Sequence, residues 1–186
     1  MTLPDLLLPT YTQMLRALSA WLDKAGAGRD DGGEALLAAR LAPDMFPLAT
    51  HVRFACVQAY EGVARLRDEP LPDVVQALLA EGRGAGEAPG TLTQAQARIA
   101  ETIAMVEAAA GAMPAVDPAR GIAHALPQGM IFDLSAEQYA RDWAIPQFYF
   151  HVMTAYAILR AEGAALGKAD YVAHMFAYLR PGTMPG

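Results

Sequence analysis

Trp143-Ala-Ile-Pro-Gln-Phe-Tyr-Phe-His-Val-Met-Thr-Ala-Tyr-Ala-Ile-Leu-Arg160 is apolar on every face of a helix and carries one histidine, His151. A helix without a polar face has to be covered all round. Two arrangements achieve this: the segment is the central element of a helical core, or one of its faces meets a second copy of the chain. Pro146 starts or kinks the helix, which runs to about Glu162 before Gly163.

Working upstream, Ser135-x-x-Gln138 is a capping box that opens a short helix. Before it, Ile122 to Leu126 and Met130 to Phe132 flank Pro127-Gln-Gly129, the pattern of a small hairpin or an irregular excursion. A third long helix has two competing capping boxes, Thr91-x-x-Gln94 and Thr93-x-x-Gln96. Ile99, Ile103, Val106 and Ala110 then share a face, and Gly111 closes the helix. The second long helix starts at Asp44, whose carboxylate accepts first-turn N–H groups, and runs to about Arg67. Its stripe is Leu48, Val52, Ala55, Cys56, Ala59, Val63 and Leu66, which turns His51 at the stripe's edge toward the interior. The first helix starts at Thr10 with the box Thr10-x-x-Gln13 and stops at Gly26-Ala-Gly28.

The remaining pieces read as connections. Glu34 to Leu41 is a short helix stopped by Pro43 and lies outside the core, and 68–90 is a long link with two helical turns at Asp73 to Glu81. Lys168 to Tyr178 forms a last helix. The sum is a single all-α domain over 1–180, an antiparallel four-helix bundle with a long crossover between its third and fourth helices. Residues 181–186 form a flexible tail.

Composition narrows the function classes. Apolar residues make up 54% of the 186 positions and charged residues only 18%, which leaves a thin polar coat and favours a homodimer. The 20 acidic groups outnumber the 14 basic ones, and Lys and Arg are scattered singly, so no stripe exists to neutralise nucleic-acid phosphates. Cys56 is alone and sits in a helical pattern, where it packs as a small apolar group. The start Met1-Thr-Leu-Pro-Asp5 has no basic region ahead of an apolar stretch, so the cytoplasm is the expected compartment. Pro146, Gln147, His151 and Thr154 interrupt the apolar run, and no membrane segment is expected.

Candidate chemistry rests on His51 and His151, the two histidines of four that stand on long helices. Metal sites in bundles reinforce each ligand with another one turn along the same helix. Here Gln147, Thr154 and Ala155 flank His151, while Pro47, Leu48, Phe54 and Ala55 flank His51. The pair is therefore an incomplete metal site. No cofactor is expected; the one class left open is a divalent ion, zinc, nickel, iron or manganese. Arg98, one position before Ile99, can turn inward onto a carboxylate and form an anion-recognising pocket with His51 and His151, or stay in a surface ion pair. Tyr149 and Tyr156 either line that pocket or pack in the core or a dimer interface. No phosphate loop, nucleophile elbow or cysteine–histidine arrangement is visible, so no catalytic residue is assigned.

Through Arg40-Leu-Ala-Pro-Asp-Met-Phe-Pro-Leu48, Ala97-Arg-Ile-Ala-Glu-Thr102, Pro146 to His151, Ala155 to Arg160, Gly163 and Leu166 to Tyr171, the chain resembles an uncharacterised bacterial family. That family has a domain of unknown function and lies within the DinB/YfiT-like superfamily. The resemblance covers most of the chain and implies a four-helix bundle with a long crossover, often a homodimer. Superfamily members with known roles are metal-dependent, including thiol transferases and hydrolases. They use one histidine on the second helix and a His-x-x-x-His pair on the fourth. On that pattern His51 and His151 occupy matching positions, and Ala155 stands where the last histidine would be. Two readings follow: a non-catalytic protein binding a small ligand between the second and fourth helices, or a metal-dependent transferase or hydrolase in which Asp44 or water completes the shell. A purely structural dimer is the third.

Overall fold

Thr2 decides where the chain first becomes regular. In the computed structural model, which describes residues 1–183, its side-chain oxygen accepts from the Asp5 amide while the Asp5 carboxylate accepts from the Thr2 amide. Helix α1 is thus Leu3–Gly26, seven residues longer at its start than the Thr10 box predicts. Pro4 falls in the first turn, where its missing N–H has no helical partner to lose. Pro9 lies inside the helix, at a cost of about 3 kcal/mol. Burying Leu7 and Leu8 offsets that cost, at about 1.5–3 kcal/mol for each side chain.

The stretch expected to be a connector also joins the core. A 3-10 turn at Glu34–Ala38 buries Leu36 and Leu37, and the Glu34 carboxylate accepts from the Leu92 amide at 2.9 Å. Helix α2, Leu48–Arg67, begins after Pro47 and not at Asp44, which sits exposed in the preceding turn. Helix α3, Asp73–Gly84, continues three residues past its expected end and packs on α2. Gly82 permits this: a side chain there would run into the Phe54 ring, and its carbonyl accepts from the Thr50 hydroxyl at 2.7 Å. Helix α4, Leu92–Ala110, takes the Thr91 box, and buries Ile99, Thr102, Val106 and Ala109, leaving Ala110 exposed.

Strands β1, Gly121–Ala125, and β2, Ile131–Ser135, form an antiparallel hairpin in which Ala123 faces Asp133. Ser135 caps the short helix α5, Ala136–Gln138, which continues into a π-helical stretch, Tyr139–Ala144, and then α6, Ile145–Ala161. The wider turn, in which the Ile145 amide reaches back to the Ala140 carbonyl, lets the helix run through Pro146 without a break. After α6 come α7, Lys168–Tyr171, and a 3-10 turn, Ala173–Tyr178, tied to α1 by the Trp21 indole N–H on the Asp170 carbonyl and by Lys24 on its carboxylate. The expected tail lies partly outside the described residues.

The chain is mostly helical, with seven α-helices among the described residues, where the sequence pattern gives four long helices and several short ones. Helices α1, α2, α4 and α6 share one apolar core: α2 touches α1, α3, α4 and α6, while α1 touches α4 and α6. The most enclosed element is α2, with 16 of its 20 residues buried, against 7 of 17 in α6. The segment that is apolar all round is therefore not the central one, and Phe150 and Met153 on it face outward. No helix among the described residues is long and apolar enough to cross a membrane.

Gly62 tests the packing of α2 on α1. At an open helical site glycine to alanine stabilises by about 1 kcal/mol. Here the new methyl group would overlap the buried Tyr11 ring and hydroxyl, so Gly62→Ala is expected to destabilise by about 1–3 kcal/mol in urea unfolding.

Candidate functional site

The inward turn expected for His51 brings it against His151 across the α2–α6 seam, with Nδ1 to Nδ1 at 3.2 Å. Both rings are buried, at 2% and 8% exposure. A bond between two Nδ1 atoms requires one ring to donate through Nδ1–H and the other to accept at a bare Nδ1, so the two neutral rings hold different tautomers. Burial pushes the His151 ring down to about 3, with the neighbouring His51 adding to the effect. His51 is lowered too, again chiefly by burial, with the Phe46 backbone opposing the shift. Its Nε2 is buried without a hydrogen-bond partner.

Aromatic rings collar the pair. Phe54 meets His151 edge-on at 5.3 Å, Phe150 lies 5.2 Å from His151 and 6.1 Å from His51, and Phe46 packs on Phe54 at 6.0 Å. These phenylalanines were missed as site residues. Phe54 stands three positions after His51, on the same helical face, and that spacing was the available signal.

The other candidates do not join the imidazoles. Arg98 turns to Glu81 and Glu101, and Glu81 also lies 3.5 Å from the buried Arg53. Arg98 thereby holds the Glu81 carboxyl below its ordinary range, and this cluster lines a separate cavity of about 660 Å³ between α3 and α4. Tyr149 and Tyr156 lie on the face of α6 turned away from α2: Tyr149 packs on Phe148, and Tyr156 on Trp21 at 5.1 Å and Tyr171 at 6.4 Å. A His, Arg and Tyr pocket shared by all five residues does not form.

The donor set also decides how well an ion would fit. A separation of 3.2 Å suits two ligands of one ion as well as it suits a hydrogen bond, so the count of donors matters more than the distance. No group of three His, Cys, Asp or Glu side chains capable of holding an ion occurs among the described residues, which removes Asp44 as the completing ligand. Ala155 is fully buried in the core. Zinc sites take three or four protein ligands, so the residues present do not fit the metal that the superfamily pattern implies.

Because both rings titrate more readily when unfolded, protons favour the unfolded chain below about pH 6.5. Stability is expected to fall as pH drops from neutral toward 4, with His151 contributing up to ~1.4 kcal/mol per pH unit. In His151→Gln that slope becomes shallower, as read by urea unfolding at several pH values. An unchanged slope would contradict the neutral pair.

Comparison with known proteins places the chain among relatives. The model of the family DUF1993, described as a domain of unknown function, matches residues 3–172. The crystal structure of a DinB family member protein from Shewanella denitrificans superposes with a TM-score of 0.70 at 31% identity, covering 98% of this chain and 96% of that one. No curated protein matches. With most of its length inside that family model and its fold shared with a DinB family member, the chain belongs to the DUF1993 family.

Proposed function

We propose that this is a cytoplasmic, homodimeric binding protein of the DinB type. In this reading α1, α2, α4 and α6 are the four-helix bundle, the link from α4 to α6 is the long crossover, and 1–180 is one domain. The imidazole pair with its aromatic collar is the recognition element for a small uncharged molecule and is not a metal-based catalytic centre. The single observation that supports this is that His51 and His151 bond to each other with no third ligand beside them among the described residues. A charged ligand would be desolvated there without compensation, because both rings are neutral and the collar is phenylalanine. An uncharged molecule able to both donate and accept can replace the bond between the rings.

The apolar surface favours the dimer. Leu41, Phe46, Phe150 and Met153 are exposed, at 44%, 51%, 56% and 38%; Phe150 borders the histidines and Phe46 packs on Phe54 beside them. A second copy covering this rim would bury aromatics of the kind enriched in interface cores and would close the site.

Three measurements test the reading. Protein purified without a metal-affinity tag, incubated with zinc or nickel and dialysed, is expected to retain well below one ion per chain by elemental analysis. Near-stoichiometric metal would instead favour a metal-dependent transferase or hydrolase with His51 and His151 as partial ligands. In a thermal-shift screen of small uncharged thiols and aromatics, hits are expected that His151→Ala abolishes; if none depends on His151, the dimer is purely structural. Light scattering should give twice the 19.8 kDa chain mass, and Phe150→Glu should return it to one chain.

A further inference from the structure

Farther along α2, the side chains of Gln58, Glu61 and Arg65 face a cavity of about 380 Å³ that α3, the hairpin and the π-helical stretch complete. The hairpin contributes His124 and the π-helical stretch Trp143, whose rings lie 4.4 Å apart. Four of these residues carry buried polar atoms without a partner: Gln58 Oε1, Arg65 Nε, both ring nitrogens of His124, and Trp143 Nε1. His124 itself is only 1% exposed. Buried polar groups in proteins are nearly always paired, and each one left unpaired costs about 1–3 kcal/mol. Five such atoms gather behind the wall of one cavity, where a small rotation of these side chains would turn them toward an occupant.

The chemistry of the orphans describes that occupant. Arg65 Nε–H and Trp143 Nε1–H donate, Gln58 Oε1 accepts, and His124, kept neutral chiefly by burial, has one nitrogen of each kind. Two guanidiniums, Arg65 inside and the exposed Arg83 at the rim, face one carboxyl, Glu61, so the charge balance suits a monoanion. A phosphate dianion would meet Glu61 with the charge reversed. Leu71 and Leu79 add an apolar wall. The π-helical stretch supports the assignment, since such stretches recur at functional sites, and here it carries Trp143.

We infer that this cavity is a second binding site, for a small organic monocarboxylate bearing a hydroxyl or amide donor, with Arg65, Trp143 and His124 holding the carboxylate and Gln58 the donor. The inference goes beyond the imidazole pair and uses none of its atoms.

Glycolate, acetate and inorganic phosphate serve as probes, followed by calorimetry and by amide and side-chain NMR shifts of the full chain. Glycolate is expected to bind saturably and to shift the signals of His124 and Trp143 and not those of His51 and His151. Acetate, which lacks the hydroxyl, binds more weakly, and phosphate does not saturate. Trp143→Phe, which removes the N–H and keeps a ring against His124, and Arg65→Met each weaken glycolate about tenfold or more. Their folding is checked by melting temperature. The inference is overturned if glycolate fails to saturate, which would leave the orphans to water alone. Unchanged affinity in both folded variants, or phosphate binding as tightly as glycolate, would also overturn it. Shifts at His51 and His151 in place of His124 would move the carboxylate to the imidazole pair and refute the second site while also contradicting the uncharged ligand proposed there.

Discussion

Two imidazoles that share one hydrogen bond at 3.2 Å hold the seam between α2 and α6, and the rest of the site follows from their burial. A ring charged in that position would be desolvated beside a second ring with no carboxylate to balance it. Neutrality is therefore imposed by the packing, and with it the opposite tautomers of the two rings. The same burial brings Phe54 and Phe150 against the rings and leaves His51 Nε2 without a partner, a local polar demand inside an otherwise apolar joint.

The position of α2 explains how such a polar joint is tolerated. It is the most enclosed helix although it contains Thr50, His51, Arg53 and Gln58, and each of these is buried. Thr50 donates to the Gly82 carbonyl of α3, His51 meets His151 of α6 through Nδ1, and Arg53 approaches Glu81 of α3. Neighbouring helices thus meet α2 through polar contacts as well as apolar ones, and these contacts fix its rotation more specifically than a uniform apolar stripe can. Helix α6 is in the opposite situation, richer in apolar side chains but with Phe150 and Met153 on its outer face.

Much of this was legible in the sequence where local chemistry is decisive. The Thr91 and Ser135 boxes, the C-terminal ends of α2 and α4, the stripe from Leu48 to Leu66 and the hairpin around Pro127-Gln-Gly129 all depend on contacts within a few residues. So does the inward direction of His51. Where the reading failed, long-range burial had won. Leu7 and Leu8 carry α1 through Pro9, Leu36 and Leu37 draw a supposed connector into the core, and Gly82 lets α3 dock closely. The grouping of Arg98, Tyr149 and Tyr156 with the histidines failed for the same reason. Which face of a helix meets which neighbour depends on the whole packing arrangement, and apolar content alone does not decide whether α6 is the central rod or lies at the surface of the core. The ring of unpaired groups about His124 had no local signal, because α2, the hairpin and the π-helical stretch supply its members from distant parts of the chain.

The neutral, mutually bonded state of His51 and His151 can be read directly from nitrogen-15 chemical shifts of the histidine rings at about pH 6, where a free imidazole is largely protonated. The account predicts two neutral rings of opposite tautomer, one carrying its proton on Nδ1 and the other on Nε2. An imidazolium at either position, or both protons on Nε2, would contradict it.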